Sequence, residues 1–193
     1  MENSLKMSHK VIEECVNCTS VVIDATCGAG NDTLFLAKLA KRVYAFDIQL
    51  DAISKTKEKC ANFNNITYVN DSHENVLMYV SDIVDAAIFN LGYLPKSNHA
   101  IFTKSASTIK AIEDILSILN LGGRISIVAY PGFKEGKEEK EALEEYLKTL
   151  DQKTYNASKY EFLNQMNDPP ILYVIERISL WERLLEFHFL TLL

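Results

Sequence analysis

The chain has 193 residues, of which 48% are hydrophobic and 24% charged, and its net charge is -6. That length suits one globular domain with a full core, and the acidic balance argues against broad coating of nucleic acid while leaving room for a local basic patch. With 4 prolines, 7 glycines, no low-complexity tract and no repeat at solenoid spacing, no linker is expected.

The start, MENSLKMSHKVIEEC, carries Glu2 and lacks an apolar h-region, so no signal peptide is expected. The late run FHFLTLL is too short to span a bilayer. These features predict a cytoplasmic protein with no membrane partner. Cys15 and Cys18 form a C-x-x-C, but a structural zinc site wants four ligands, and Cys27 and Cys60 make no second close pair. Ordinary reduced thiols and no metal are expected.

Short apolar runs then alternate with helical patterns. Strands are predicted at SVVIDA (20–25), RVYAFD (42–47), ITYVN (66–70), DAAIFN (85–90) and RISIVAY (124–130). Between them, Asp32 is placed to cap a helix over TLFLAKLA, and Asp71 with Glu74 makes a capping-box pattern ahead of NVLMYV. In STIKAIEDILSILNLGG, Ile109, Ile112, Leu116 and Leu119 share a helical face, and Gly122 and Gly123 supply the stop. Such alternation implies a parallel sheet covered on both faces. After the helical KEEKEALEEYLKTL come two successive strand patterns, TYNASKYEFLN and PPILYVIERI, which should pair antiparallel at the end of the sheet.

Ligands of open α/β sheets bind outside the carboxyl ends of the strands, where the strand order reverses. The first strand delivers DATCGAGNDT to that edge, with Asp24, Thr26, Gly28, Gly30, Asn31, Asp32 and Thr33 as candidates. Gly28 and Gly30 begin a phosphate-loop pattern, but Thr33 stands where the third glycine is expected. A pyrophosphate at the helix N-terminus needs backbone amides without competing anions, and Asp24 and Asp32 oppose it, so a nicotinamide dinucleotide fits poorly. A phosphate-free cofactor with a cationic end, S-adenosyl-L-methionine, matches. Asp47 lies 19 residues beyond Gly28, a spacing that suits the ribose hydroxyls. Gln49 follows it, and Asp71, Ser72 and His73 stand where an adenine edge could be read. The plainer reading is that Asp32 only caps a helix and the two glycines only form a turn.

The segments DATCGAGNDTLFLA, FDIQ, NDSHEN, AIFNLGYLP, KSASTIKAI and GKEEKEAL resemble the rRNA methylase-like family of class I S-adenosylmethionine-dependent methyltransferases. That family includes the bacterial tRNA 5-aminomethyl-(2-thio)uridine methyltransferases. The resemblance covers residues 7–177. It implies an α/β, Rossmann-like class I methyltransferase fold: a mostly parallel seven-stranded sheet with an antiparallel C-terminal hairpin, in a single domain over residues 1–178. It also implies cofactor contacts from Asn31, Asp32, Thr33, Asp47, Gln49, Ser72 and His73. Where many members read YLPGGDH, this chain reads YLPKSNH, and where they often read HGH, it reads PGF (131–133). The roles of those two family histidines therefore do not carry over. The tail at 179–193 lies past the family's usual end and leaves three readings open: an amphipathic helix over an apolar patch, a homodimer contact, or a divergent reading frame.

Methyl transfer needs a neutral lone pair in line with the sulfonium carbon, within about 3–3.5 Å, and positioning supplies most of the help. NLGY (90–93) occupies the place where amino-group methyltransferases carry an N-P-P-Y type motif. There the Asn90 oxygen and the Leu91 carbonyl would accept the amine's hydrogens and Tyr93 would stack on a base; the bland reading is a tight turn with Tyr93 in the core. His99 is a candidate proton acceptor for an alkylammonium. Lys96, Lys104, Lys134, Lys137 and Lys140 flank the expected mouth and suit phosphates, although Lys137 and Lys140 read first as part of a solvated helix. The resemblance implies methylation of the 5-aminomethyl group of wobble uridine, with the tRNA anticodon region as partner. Methylation of an rRNA base or a small-molecule amine would keep every cofactor residue.

Overall fold

A computed structural model describes residues 2–92 and 105–179. Its strands are β1 (Val21–Asp24), β2 (Arg42–Phe46), β3 (Ile66–Val69), β4 (Val84–Asn90), β5 (Leu119–Ala129), β6 (Tyr155–Tyr160) and β7 (Ile171–Arg177). Its helices are α1 (Ser4–Glu13), α2 (Asn31–Leu39), α3 (Leu50–Lys59), α4 (Ser105–Ile118) and α5 (Lys134–Thr149), with a short 3-10 helix at His73–Met78. All seven strands form one sheet in the order β3-β2-β1-β4-β5-β7-β6. The first five are parallel, and β7 runs antiparallel to both β5 and β6. This is the mixed sheet with an antiparallel finish that the alternation of patterns predicts.

The central strands bury both faces because successive side chains point to opposite sides. In β1, Val22 packs with Ile12 of α1 and Leu36 of α2, whereas Ile23 belongs with Phe89, Ile112 and Ile125. Strand β4 divides in the same way, Ala86 and Ile88 to one cluster and Ala87 and Phe89 to the other. Each such Ile, Leu or Phe contributes about 1.5–3 kcal/mol by leaving water.

Three local expectations are corrected and one helix is added. Helix α1, absent from the sequence reading, starts at Asn3, whose side chain accepts from the Lys6 N–H at 2.9 Å. Serines on its buried side interrupt the apolar stripe that would mark it: Ser8 Oγ meets Ser126 Oγ of β5 at 2.6 Å. Helix α4 stops at Ile118, short of the glycines, because Leu119 already pairs with Val84. The register then jumps to Ala86 and Arg124, and Gly122, at φ +73°, lets the chain pass through that irregularity. Helix α2 starts at Asn31 with Gly30 as its cap, so Asp32 lies in the first turn and caps nothing. Ser72, not Asp71, caps the 3-10 helix, accepting from the Glu74 N–H at 3.4 Å.

Tyr93, Lys96, His99 and Lys104, and the tail beyond residue 179, lie outside the described residues. Among the described residues no helix is long and apolar enough to cross a membrane, and no His, Cys, Asp and Glu group is arranged to hold a metal. All four cysteines are free, and burial pushes the Cys15 thiol up to about 11.

Arg177 closes the end of the sheet opposite the strands' carboxyl edge. It is 2% exposed and donates to the carbonyls of Leu116 at 3.3 Å and Leu119 at 2.9 Å, the junction of α4 with β5. Arg177→Met should cost about 1–3 kcal/mol, the penalty for stranding buried acceptors, and chemical denaturation is the measurement. Cofactor affinity should be unaffected, since the change is at the far edge.

Candidate active site

The strand order reverses between β1 and β4, so the crevice at their carboxyl ends is the place where such a sheet binds ligands. Asp24, the last residue of β1, is fully buried there. Its oxygens accept from the Thr33 hydroxyl at 2.5 Å and the Thr26 N–H at 3.2 Å. The hydroxyl of the residue at the third glycine position therefore holds the acid in place. Gly30 makes the turn at φ +78°, and a Cβ there would lie 2.9 Å from the Thr56 Cα, so α3 packs directly on the loop.

Asp47, just past β2, is fastened to the same turn. One oxygen accepts from the Gly28 N–H at 3.0 Å and the other from the Gln49 N–H at 2.9 Å. Each oxygen keeps another acceptor site, the pair a ribose diol requires. Gln49 contributes its backbone here and opens α3. Asn31 accepts from Lys59 Nζ at 2.5 Å.

Asp71 serves the local architecture. Tyr79, then the Ser72 N–H, with Asn75 adding to them, hold its carboxyl below the usual range. His73 is buried beneath the turn, with Nδ1 3.1 Å from the Ala25 carbonyl and its ring edge-on to Phe89 at 5.6 Å. Burial lowers its pKa, so the neutral ring donates through Nδ1 to that carbonyl, and Nε2 is left without a protein partner.

On the opposite side of the turn, Asp32 meets β4. Asn90 Nδ2 donates to one of its oxygens at 3.2 Å, and His9 Nε2 lies 2.7 Å from the other. Asn90 is itself fixed at the backbone, its N–H donating to Thr26 Oγ1 at 2.8 Å. The Tyr130 phenol, one residue past β5, lies near Asp32 and the Asn90 side chain, and burial raises its pKa. The sequence reading missed both His9 and Tyr130. Tyr130 had a signal, since it obeys the same rule that selected the residues after the other strands. His9 had none, because its partner is 23 residues away and belongs to another element. Of the basic residues, Lys134 and Lys140 pair with Glu138 and Glu144 along α5, and Lys137 pairs with Asp168 at 3.0 Å.

The turn thus gathers Asp24, Asp32 and Asp47. Burial, and next the Asp32 charge, push the Asp24 carboxyl well above its ordinary value of 3.8. A pyrophosphate would aggravate this crowding, whereas a cation relieves it. The acidic turn as a whole suits the cationic end of S-adenosylmethionine, and the spare acceptor sites of Asp47 suit its ribose. A cation that lowers the Asp24 pKa must release a proton, so affinity for S-adenosylmethionine should rise with pH above 3.8, by at most about tenfold per unit for one proton. Calorimetry from pH 6 to 8 measures this slope, and Asp24→Asn should flatten it. Stability runs the other way. The folded protein holds this proton more tightly than the unfolded chain, so the contribution is complete below pH 3.8 and is lost as pH rises through the raised value. Asp24→Asn should accordingly raise the thermal midpoint at pH 8 relative to wild type, with little gain at pH 4.

The "Putative rRNA methylase" family profile matches residues 43–176. A chloroplastic tRNA (mnm(5)s(2)U34)-methyltransferase from Arabidopsis thaliana is 34% identical over 91% of this chain and 70% of its own length. A Clostridium thermocellum crystal structure bearing the family's description superposes with a TM-score of 0.90 at 44% identity, covering 92% of this chain and 99% of the other. A Streptococcus mutans protein in complex with SAH, S-adenosylhomocysteine, gives a TM-score of 0.87 at 41% identity, with coverage of 92% and 99%. With a buried acid turn at the switch point of a seven-stranded mixed sheet, the chain belongs to this rRNA methylase family and is a class I methyltransferase that uses S-adenosylmethionine.

Proposed function

We propose that the protein methylates an amine on RNA: the 5-aminomethyl group of wobble uridine or 2-thiouridine in the tRNA anticodon region. The observation that carries this reading is the orientation of Asn90. A carboxylate accepts hydrogen bonds only, so the Asn90 group facing Asp32 is its NH2 and its oxygen turns the other way. That oxygen can accept a hydrogen from an amine and aim the lone pair. Bound S-adenosylmethionine supplies an electrophilic methyl carbon on a sulfonium. The Leu91 N–H, donating to the Val128 carbonyl at 2.8 Å, pins the start of the turn from which a second acceptor would come. Methyl transfer at nitrogen asks for this kind of positioning more than for a strong base.

The tRNA reading draws support from the Arabidopsis relative, which carries that substrate in its name. A single-stranded anticodon loop suits a pocket of this kind, because its unstacked bases can be splayed out. Tyr93 is proposed as the stacking platform, His99 as the proton acceptor, and Lys96 and Lys104 as phosphate contacts. A cytoplasmic place of work accords with the free thiols. An rRNA base is the second reading, favoured by the family's description.

The test supplies purified protein and S-adenosylmethionine to tRNA carrying 5-aminomethyluridine at the wobble position, with the same tRNA lacking the amine as control. Methylation of the first alone is the expected result. Equal labelling of both, or labelling of rRNA only, would transfer the function to the second reading. Asn90→Ala should lower turnover about ten- to hundredfold, through lost aim. Its affinity for S-adenosylhomocysteine should change by less than about threefold, well under 1 kcal/mol.

A further inference from the structure

His9 stands outside every motif that marks the cofactor turn, yet its imidazole reaches Asp32 at 2.7 Å. The contact is built from several directions. The ring lies flat on Phe35 of α2, with centroids 3.8 Å apart and planes 2° from parallel. Side chains of a helix tilt back toward its N-terminus, which lets His9 point toward the carboxyl edge while the rest of α1 crosses the sheet. The helix cannot slide, because Ser8 is fixed to Ser126 at 2.6 Å and the Val11 carbonyl accepts from Arg124 at 2.9 Å. Asp32 is nearly buried, with 10% of its side chain exposed, so the number and direction of its partners matter.

We propose that His9 is a positioning residue for methyl transfer: it holds Asp32 in the place from which that carboxylate fixes the amide orientation of Asn90. The assignment rests on the reading of Asn90 as the amine-aiming group. Asp32 has two oxygens facing two donors, one from each neighbour. If the His9 donor is removed, the carboxylate has only Asn90 to satisfy it and is free to rotate toward it or toward water. The Asn90 amide then loses a fixed reference, although nothing that touches the acceptor has been altered. His9 therefore acts through two intermediaries, and its effect falls on turnover more than on binding.

Two substitutions separate hydrogen bonding from packing. His9→Phe keeps a ring on Phe35 and deletes the donor, whereas His9→Gln deletes the ring and keeps an N–H for Asp32. The first should lower kcat about ten- to hundredfold, with a much smaller change in KM and S-adenosylhomocysteine affinity. The second should retain most of kcat. In a double-mutant cycle, His9→Phe added to Asn90→Ala should cost no further turnover, because the residue it acts through is gone. The side-chain amide signals of Asn90, identified by their loss in Asn90→Ala, supply a readout that needs no substrate. They should move in His9→Phe and stay in place in His9→Gln.

Wild-type kcat in a folded His9→Phe, additive losses in the cycle, or unmoved amide signals would each overturn the inference. So would retained activity in His9→Phe together with loss in His9→Gln, the pattern of a residue that only packs. If wild-type protein methylates no amine-bearing tRNA, the proposed function fails instead, and the amide signals alone then decide whether His9 sets Asn90.

Discussion

A carboxyl group sealed from water at the end of the central strand governs much of what surrounds it. Removing a charge from water costs several kcal/mol, so burial favours the protonated form of Asp24, and two hydrogen bonds, from Thr26 and Thr33, satisfy its oxygens. The second requires α2 to bring its first turn directly over β1, which in turn requires the left-handed turn at Gly30. The residue that breaks the phosphate-loop pattern and the glycine that preserves it thus belong to one arrangement. Thr33 there excludes the backbone approach that a third glycine would permit and substitutes a hydroxyl that tethers the acid.

The same arrangement divides the crevice chemically. Asp47, just past β2, is tied to the Gly28 amide on one side of the reversal in strand order. Asn90 stands at the end of β4, the neighbouring strand beyond the reversal in order. Asp32 lies between them, raising the Asp24 pKa on one side and accepting from Asn90 on the other. A single carboxylate therefore links the buried acid of the cofactor turn to Asn90, the residue proposed to aim the acceptor.

The parallel core was legible because its strands are short apolar runs separated by helical periods, and Val22 and Ile23 display the two-sided burial that such runs imply. The acid turn was legible too, since Asp24, Asp32 and Asp47 cluster by virtue of where strands end. Features that depend on contacts between distant segments were not. The stretch LNLGG reads locally as a helix stop, but pairing with Val84 pulls Leu119 into the sheet before the glycines are reached. Asp32 looks like a cap because its type and place suit one, whereas Gly30 occupies the cap and releases the carboxylate to His9 and Asn90. Helix α1 was hidden by Ser4 and Ser8, polar residues that are buried because the segments they face also offer polar partners.

Helix α1 also changes how much of the sheet the site depends on. Its start is tied to the antiparallel end: the Tyr160 hydroxyl donates to the Glu2 carbonyl at 2.7 Å, and Ser4 Oγ donates to the Pro170 carbonyl at 2.5 Å. Its last turn is held by Arg124, which also pairs with Glu176 of β7 and with Glu14. From that anchored frame His9 reaches across to α2 and the turn after β1. The cofactor turn needs only the parallel strands, but His9, and with it one of the two side-chain contacts of Asp32, is anchored to β5, β6 and β7. The antiparallel finish is then more than a way to close the sheet, because it anchors the helix whose His9 meets Asp32 in the crevice.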